Sequence, residues 1–346
     1  MARQDMDRPA GRRPTVKDVA KLAGVSQGTV SNALSGMRGV DPVTRQRIDQ
    51  AVAQLGYVPN LAARRMRTGM THAIAVMTSM PAAVSAGSSR LGFLMEIAAS
   101  AAIHALEHNS ALVLVPPVAD PATALRNVAM DGAIIIEPQR DDAFLSLLRQ
   151  RGLPTVVIGQ PAQDDLPWID MHYSETAEML LSHLLQQGSR RIALIIGASQ
   201  RVSQGITEQV YHAQMQRFGI APRVIRVPEA EGEEGAYRVT RALLQQDPGL
   251  DGIFAPVDAF ASGVMRALRE EGRAVPGEVR VVTRYDGLRA REERPALTAA
   301  NLHLDQVAAM ATRVLMDLIA GREIAHCTKG PSPSLVIRDS SAVQGG

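Results

Sequence analysis

The sequence predicts an α/β protein with an all-α head at its N-terminal end, on three observations. Residues 15–56 carry apolar residues at helical spacing in three short stretches, each opened by a capping residue and closed by glycine or a loop. After Gly69 the texture changes to short apolar runs alternating with amphipathic stretches, the pattern of parallel strands joined by helices. Charge divides along the same line: residues 1–70 hold 12 Lys/Arg against 5 Asp/Glu, and the rest holds 25 against 30. A basic head on an acidic body points to nucleic acid as the head's partner.

The first 13 residues are polar and basic, with Pro9 and Gly11, and read as a flexible arm. Thr15 and Asp18 then form a capping-box-like start, because hydroxyl and carboxylate can both satisfy free amides of a first turn. Val16, Val19, Ala20 and Ala23 make a helical stripe that Gly24 ends. Ser26 is a natural cap for a second helix, Gln27–Leu34, and Ser35–Gly39 is a loop. Asp41 caps a third helix with Pro42 at its first position; Ile48, Val52 and Leu55 supply its apolar face, and Gly56 stops it. Three helices with a tight glycine turn between the first two make a helix-turn-helix head of about fifty residues. Pro59 breaks the pattern, Asn60 can cap, and Leu61–Arg67 are good helix formers. So short a helix is marginal alone in water and is expected to order only against a partner.

The apolar runs expected as strands are Ala73–Met77, Leu112–Val115, Ala133–Ile136, Thr155–Ile158, Ile192–Ile196, Val224–Val227, Gly252–Ala255 and Val279–Thr283. Between them Leu91–Glu107, Ala143–Arg151, Ser174–Gln187, Thr207–Phe218, Ala236–Gln245 and Ala259–Glu271 read as helices. About 270 residues is large for one such sheet, so two lobes are expected, with the main boundary near Tyr173. The expected division is an arm over 1–13, a head over 14–58, a hinge helix over 59–70, a core over 71–340 and a tail over 341–346.

Composition excludes several classes. With 46% hydrophobic and 21% charged residues the chain is ordinary globular material. Aromatics are only 3%, so the cores must be built from Ala, Val, Leu, Ile and Met. The single cysteine, Cys327, excludes a disulfide framework and a cysteine-built zinc site and fits a reducing cytoplasm. The first residues are charged with no apolar segment behind them, so no secretion signal is expected. The longest uncharged stretch, Met70–Ser89, contains His72, Pro81 and Gly87 and reads as a strand entering a loop, not a membrane span. A soluble, cytoplasmic protein is the expectation. No glycine-rich dinucleotide loop, phosphate-binding loop, nucleophile elbow or His-Glu-x-x-His is present. His104 and His108 are four apart on an Ala-rich stretch without a nearby third ligand. Neither catalysis, nor a metal, nor a cofactor is expected.

The run from Thr15 to Leu34, TVKDVAKLAGVSQGTVSNAL, strongly resembles the signature of the lactose/galactose repressor (LacI/GalR) family. The match continues through Gly56-Tyr57-Val58-Pro59-Asn60 and Ala63-Arg64, and Pro276–Asp286 and Pro295–Thr298 look like the family's late core segments. The resemblance covers nearly the whole chain. It implies a dimeric, effector-controlled transcription regulator, most often a repressor of a catabolic or transport operon. It also implies a two-lobed core like that of periplasmic sugar-binding proteins, with three crossovers and an effector in the cleft. By that pattern the first lobe holds about 71–173 and 301–330, and the second about 174–300 and 331–340, with its last strand near Leu335–Ile337. The partners implied are double-stranded, pseudo-palindromic operator DNA, a small-molecule effector and a second copy of the chain, with no membrane. A corepressor-dependent repressor, an activator, and a solute-binding protein with a vestigial head are the rival readings. The final residues carry no leucine heptads, so a dimer is expected rather than a tetramer held by a coil.

In a helix-turn-helix the second helix enters the major groove. The residues that would meet DNA there are Ser26, Gln27, Gly28, Thr29, Ser31 and Asn32. By the resemblance Ser26, Thr29 and Ser31 hold phosphates or orient the helix. Gln27 and Asn32 are the candidates for reading sequence, because an amide pairs bidentately with adenine. Gly28 permits close approach. Arg12, Arg13, Lys17, Lys21, Arg38, Arg45 and Arg47 are expected to supply phosphate contacts or general attraction. The family pattern adds Thr15 and Tyr57, and in the hinge Asn60, Ala63 and Arg64, with Met66 where the family's minor-groove wedge is usually Leu.

For the effector, Asp286 matches an aspartate that accepts effector hydroxyls in many relatives, and Asp258 begins a helix where the family also has Asp. Departures are equally informative. Thr207 and Val210 stand where relatives carry Arg and Gly, Arg201 lies nearby but out of register, and Val257 occupies an often polar position. Ala86–Phe93 replaces a family loop. An effector other than an ordinary hexose fits these departures, with Arg90 or Arg201 pairing an anion.

Overall fold

The structure, a computed structural model, describes residues 14–34, 39–58, 69–85, 92–118, 120–163 and 165–342. The chain divides into two units, Met1–Thr71 and His72–Gly346.

In the first unit α1 (Val16–Ala23), α2 (Gln27–Leu34) and α3 (Pro42–Leu55) enclose a core of Val19, Ala20, Ala23, Val30, Ala33, Ile48, Ala51 and Tyr57. The Asp41 carboxylate accepts the Thr44 amide at 3.0 Å and caps α3. Gly24 and Gly56 end α1 and α3 at φ 66° and 58°, the left-handed region that glycine enters without a Cβ penalty. The hinge segment, 59–68, lies outside the described residues.

The second unit holds two six-stranded sheets. The first half of its sequence contains β1 (Ala73–Met77), α4 (Ala82–Ser85), α5 (Phe93–Glu107), β2 (Ala111–Val115), α6 (Pro121–Arg126), β3 (Gly132–Ile136), α7 (Ala143–Gln150), β4 (Thr155–Ile158) and β5 (Trp168–Asp170). Next come α8 (Tyr173–Gln186), β6 (Ile192–Gly197), α9 (Val202–Arg217), β7 (Val224–Val227), α10 (Gly232–Gln246), β8 (Gly252–Phe254), α11 (Asp258–Glu270), β9 (Arg280–Thr283), α12 (Leu288–Glu292) and β10 (Thr298–Asn301). The chain closes with α13 (Leu304–Ile319), β11 (Cys327–Lys329) and β12 (Ser334–Val336).

Sheet one has the order β11-β5-β4-β3-β1-β2 and is parallel throughout; sheet two has the order β12-β10-β9-β8-β6-β7, with only β12 antiparallel. Strands buried on both faces read as unbroken apolar runs, and β3 (GAIII) and β6 (IALIIG) are buried at every position. Gly132 is required where α13 lies over sheet one: a Cβ there would stand 2.9 Å from both the Pro154 carbonyl and Leu315 Cδ1.

The chain passes between the sheets three times, after Asp170, after Asn301 and between Lys329 and Ser334. The first two passages repeat one arrangement. Asp170 and Asn301 accept the backbone N–H groups of His172 and His303, each at 2.9 Å, and those histidines sit at φ 51° and 49°. Three strands, β5, β10 and β11, and the helices α4, α6, α12 and α13 go beyond the elements named from sequence. Helix α9 begins at Val202, five residues before the expected start at Thr207.

Candidate functional site

The head is built to expose one side of α2. Val30 and Ala33 anchor it in the core, while Ser26, Gln27, Gly28 and Asn32 are exposed and Thr29 and Ser31 half-buried. Ser26 caps the helix: its Oγ accepts the Thr29 amide at 3.0 Å and lies 2.9 Å from Thr29 Oγ1. At the start of α1, the Thr15 amide and hydroxyl both donate to Asp18, each at 2.7 Å, which fixes the first turn. Lys17, Lys21, Ser26 and Gln27 border one surface hollow, so two ammonium groups flank the end of the exposed helix.

Tyr57 is packed into the head's core, with 8% of its surface exposed. Arg45 donates to the Ala33 carbonyl at 2.8 Å, tying α3 to the C-terminal end of α2, and remains exposed. Asn60, Ala63, Arg64 and Met66 of the hinge lie outside the described residues, as do Arg12, Arg13, Arg38 and Arg90.

In the second unit the C-terminal ends of β1, β3, β6, β8 and β9 converge on a cavity, the place where open α/β sheets receive ligands. Glu137 follows β3, Arg201 and Ser203 follow β6, Val257 and Asp258 follow β8, and Arg284 and Tyr285 follow β9. The cavity volume is about 50 Å³, because side chains from the two sheets meet across it.

Glu137 is the centre of that meeting. Its backbone is left-handed at φ 41°, a conformation that costs a non-glycine residue about 1–3 kcal/mol and concentrates at functional sites. From the side of sheet two, Arg284 donates to its carboxylate at 2.7 Å and Ser203 at 2.9 Å, while Arg201 donates to its carbonyl. The Arg284 guanidinium lies 5.4 Å from the Tyr173 ring centroid and 5.9 Å from that of Phe93. Burial disfavours its charge, but Glu137 and Tyr173 raise its pKa. Tyr285 meets Phe93 edge-on at 5.5 Å and donates to Glu96; burial and that carboxylate push the phenol's pKa far up.

Arg201 is 4% exposed and held by Glu229 at 3.3 and 3.4 Å and by Ser79 at 3.3 Å. Glu229 also accepts from Ser199 at 2.5 Å and Gln204 at 2.6 Å. Asp258 accepts the Ala259 amide at 2.7 Å and lies 3.8 Å from Arg289; burial raises its carboxyl pKa, partly offset by that arginine. Gln204 Oε1 and Arg284 Nε are buried without a hydrogen-bond partner, one acceptor and one donor on lining residues.

Arg201 and Asp258, singled out from sequence, therefore belong to the cavity lining, whereas Asp286 does not. Its carboxylate is held by Arg338 at 2.7 Å and Arg291 at 3.3 Å. Thr207 lines the cavity and Val210 does not. Glu137, Glu229, Arg284, Tyr285, Ser203 and Gln204 come from the structure alone. The first turn of α9 was the missed signal for two of them: Arg201 caps it, and Ser203 and Gln204 form it.

No helix of the described residues is long and apolar enough to cross a membrane, and no group of three or more His, Cys, Asp or Glu among them could hold a metal. A helix-turn-helix head and a two-sheet core with a polar cavity define a class, the DNA-binding regulator with a ligand-binding-protein core. Residues 15–60 match the model of bacterial regulatory proteins of the lacI family, and residues 181–341 match the periplasmic binding protein-like domain. The chain is 28% identical to the transcriptional regulator CelR of Thermobifida fusca, covering 95% of this chain and 98% of that one. It is 26% identical to the transcriptional repressor PurR of Haemophilus influenzae, covering 94% and 98%. Among solved structures, the CelR–cellobiose complex matches with a TM-score of 0.67 at 26% identity, over 95% of this chain and 100% of that one. The lac repressor dimer bound to operator and the anti-inducer ONPF shares the fold, with a TM-score of 0.77 at 24% identity, over 96% and 100%. The head therefore carries the DNA-binding domain of the lacI family of bacterial regulatory proteins, and the chain is a DNA-binding transcriptional regulator.

Proposed function

We propose that the protein is a homodimeric repressor that holds a pseudo-palindromic operator and responds to a small metabolite in the core cavity. The observation that carries this reading is the exposed edge of α2, with Gln27, Gly28 and Asn32 on its surface and Lys17 and Lys21 beside it. Ser26, Thr29, Ser31 and Thr15 orient or anchor that edge on phosphates, and Asn60, Ala63, Arg64 and Met66 act in the minor groove. Gln27 and Asn32 read bases; with no arginine in α2, adenine is the expected contact.

A second copy fits the outer face of α5. Met95, Ile103 and Leu106 are exposed there, together with Ala99, along one side of a helix whose other side fills the core. The solved lac repressor is a dimer on its operator, and CelR is known with cellobiose, which supports a carbohydrate-derived effector here. Effector contacts fall to Arg201, Asp258, Arg284 and Gln204, with Arg90 a further candidate, and Asp286 is left to its ion pairs. The protein works by binding rather than by catalysis, in the cytoplasm where operators lie.

Selection of bound sites from a random DNA pool, with and without a metabolite library, tests the reading. An enriched inverted repeat is expected, with Asn32→Ala altering its base preference. A metabolite that abolishes enrichment identifies an inducer, and one required for it identifies a corepressor. No enriched site under any condition overturns the proposal.

A further inference from the structure

We infer that Glu137 is a tethered occupant of an anion seat, closing the cavity from within, and that the effector carries an acidic group which takes that seat. The inference rests on the reading of this cavity as the effector site. The seat is made by Arg284 Nη2 and Ser203 Oγ, which lie on the sheet-two side and grip a carboxylate supplied from the sheet-one side at 2.7 and 2.9 Å. Every side-chain partner of that carboxylate is therefore across the cavity or, as for Tyr173, at the passage between the sheets. Glu137 reaches the seat only by holding a left-handed backbone, and its carbonyl receives Arg201 in the same act. A single backbone bond continues the closure beside it: the Arg140 amide donates to the Gln200 carbonyl at 3.1 Å.

Charge and volume together decide what can replace it. With the seat filled, a cavity of about 50 Å³ has room for only a water or two, so a metabolite enters only when the two sides separate. Separation carries Glu137 away into water and leaves Arg284 beside Tyr173 and Tyr285. A buried cation without a partner is strongly unfavourable when the sides close again. The other acids nearby are already engaged: Glu229 holds Arg201, Ser199 and Gln204, and Asp258 holds the Ala259 amide beside Arg289. A neutral ligand leaves the guanidinium stranded, whereas a carboxylate or phosphate replaces what Glu137 supplied. The free Arg284 Nε and Gln204 Oε1 then serve an acceptor and a hydroxyl of the same molecule.

Amide hydrogen exchange on the full chain tests this without knowing the effector, using acetate as the probe. In Glu137→Ala, peptides spanning Arg140 and the first turn of α9 are expected to exchange about tenfold faster than in the wild type, while sheet and head peptides keep their protection. Acetate is expected to restore protection where chloride at equal ionic strength does not, and Glu137→Gln, which retains the shape without the charge, is expected to fall between. Unchanged exchange in Glu137→Ala overturns the closure. Faster exchange that acetate restores no better than chloride overturns the anion seat. Loss of protection throughout would mean global unfolding, in which case Glu137→Gln alone decides by the same two criteria. Because operator selection is not involved, failure here is separable from failure of the repressor reading.

Discussion

Both ring nitrogens of His172 face oxygen: Nε2 lies 2.9 Å from the Gly330 carbonyl and Nδ1 lies 3.1 Å from Glu175. A neutral imidazole donates from one nitrogen only, so the cation satisfies both contacts and the neutral ring one. Burial works against the charge, but the Gly330 carbonyl with Asp170 and Glu175 outweighs it and raises the pKa above its ordinary 6.5. Lys329 stands opposite Asp170 on the neighbouring strand. A histidine whose native pKa is raised stabilises fully below its unfolded value, and that stability is lost as pH rises through the native value. Urea unfolding from pH 6 upward is therefore expected to show a decline that His172→Gln lacks. His183 runs the other way, since burial and Arg280 lower its pKa and its contribution is lost as pH falls below 6.5. The difference between wild type and His172→Gln isolates His172, and identical slopes would refute its role. Residues at this scale were unequally legible. Asp258 could be found by position in a known pattern, and Arg201 only by lying near one, out of register. Glu137 follows an apolar strand as any polar turn residue would, and only the convergence of distant strand ends gives it partners.

Helices α10 and α11 approach so closely that Gly263 has no room for a side chain. A Cβ there would stand 2.2 Å from the Glu233 carbonyl and 2.9 Å from the Tyr237 amide, both backbone atoms that cannot rotate away. Gly263→Ala is expected to destabilise the core by about 1–3 kcal/mol in equilibrium urea unfolding. Gly277→Ala, whose Cβ meets only Ala274 at 3.5 Å, is expected to stay within about 0.5 kcal/mol of wild type. Equal stabilities for the two variants would show that the helices adjust freely. Elements with strong local pattern were readable: α1 by its capping pair and Gly24, β3 by its apolar run. The strands β5 and β11 are three residues each, partly polar, and defined by pairing Trp168 with Cys327, a contact no local window contains. Helix α13 did carry a helical stripe, Leu304, Val307, Ala308, Ala311 and Leu315, which fills sheet one's core.

At the scale of the molecule, one charge-divided chain serves two partners. The apolar face of α5 is the place to separate assembly from folding, because its residues are exposed within the chain. Ile103→Glu is expected to leave core stability within about 0.5 kcal/mol of wild type, as exposed substitutions do. The same change is expected to convert the dimer to monomer in sedimentation and to weaken operator binding. A dimer that persists would place the interface elsewhere.

On the ribosome neither half of the core can finish in order. Residues 73–170 emerge first, yet the edge of their sheet, Cys327–Lys329, is made only after both passages through the other half. The second sheet in turn waits for Ser334–Val336. The three-helix head, by contrast, is complete over about forty contiguous residues and closes on local contacts, which form fastest. During synthesis a finished DNA-reading head precedes a core still lacking an edge on each sheet, and a chain interrupted before Val336 carries such a head on an unfinished sensor.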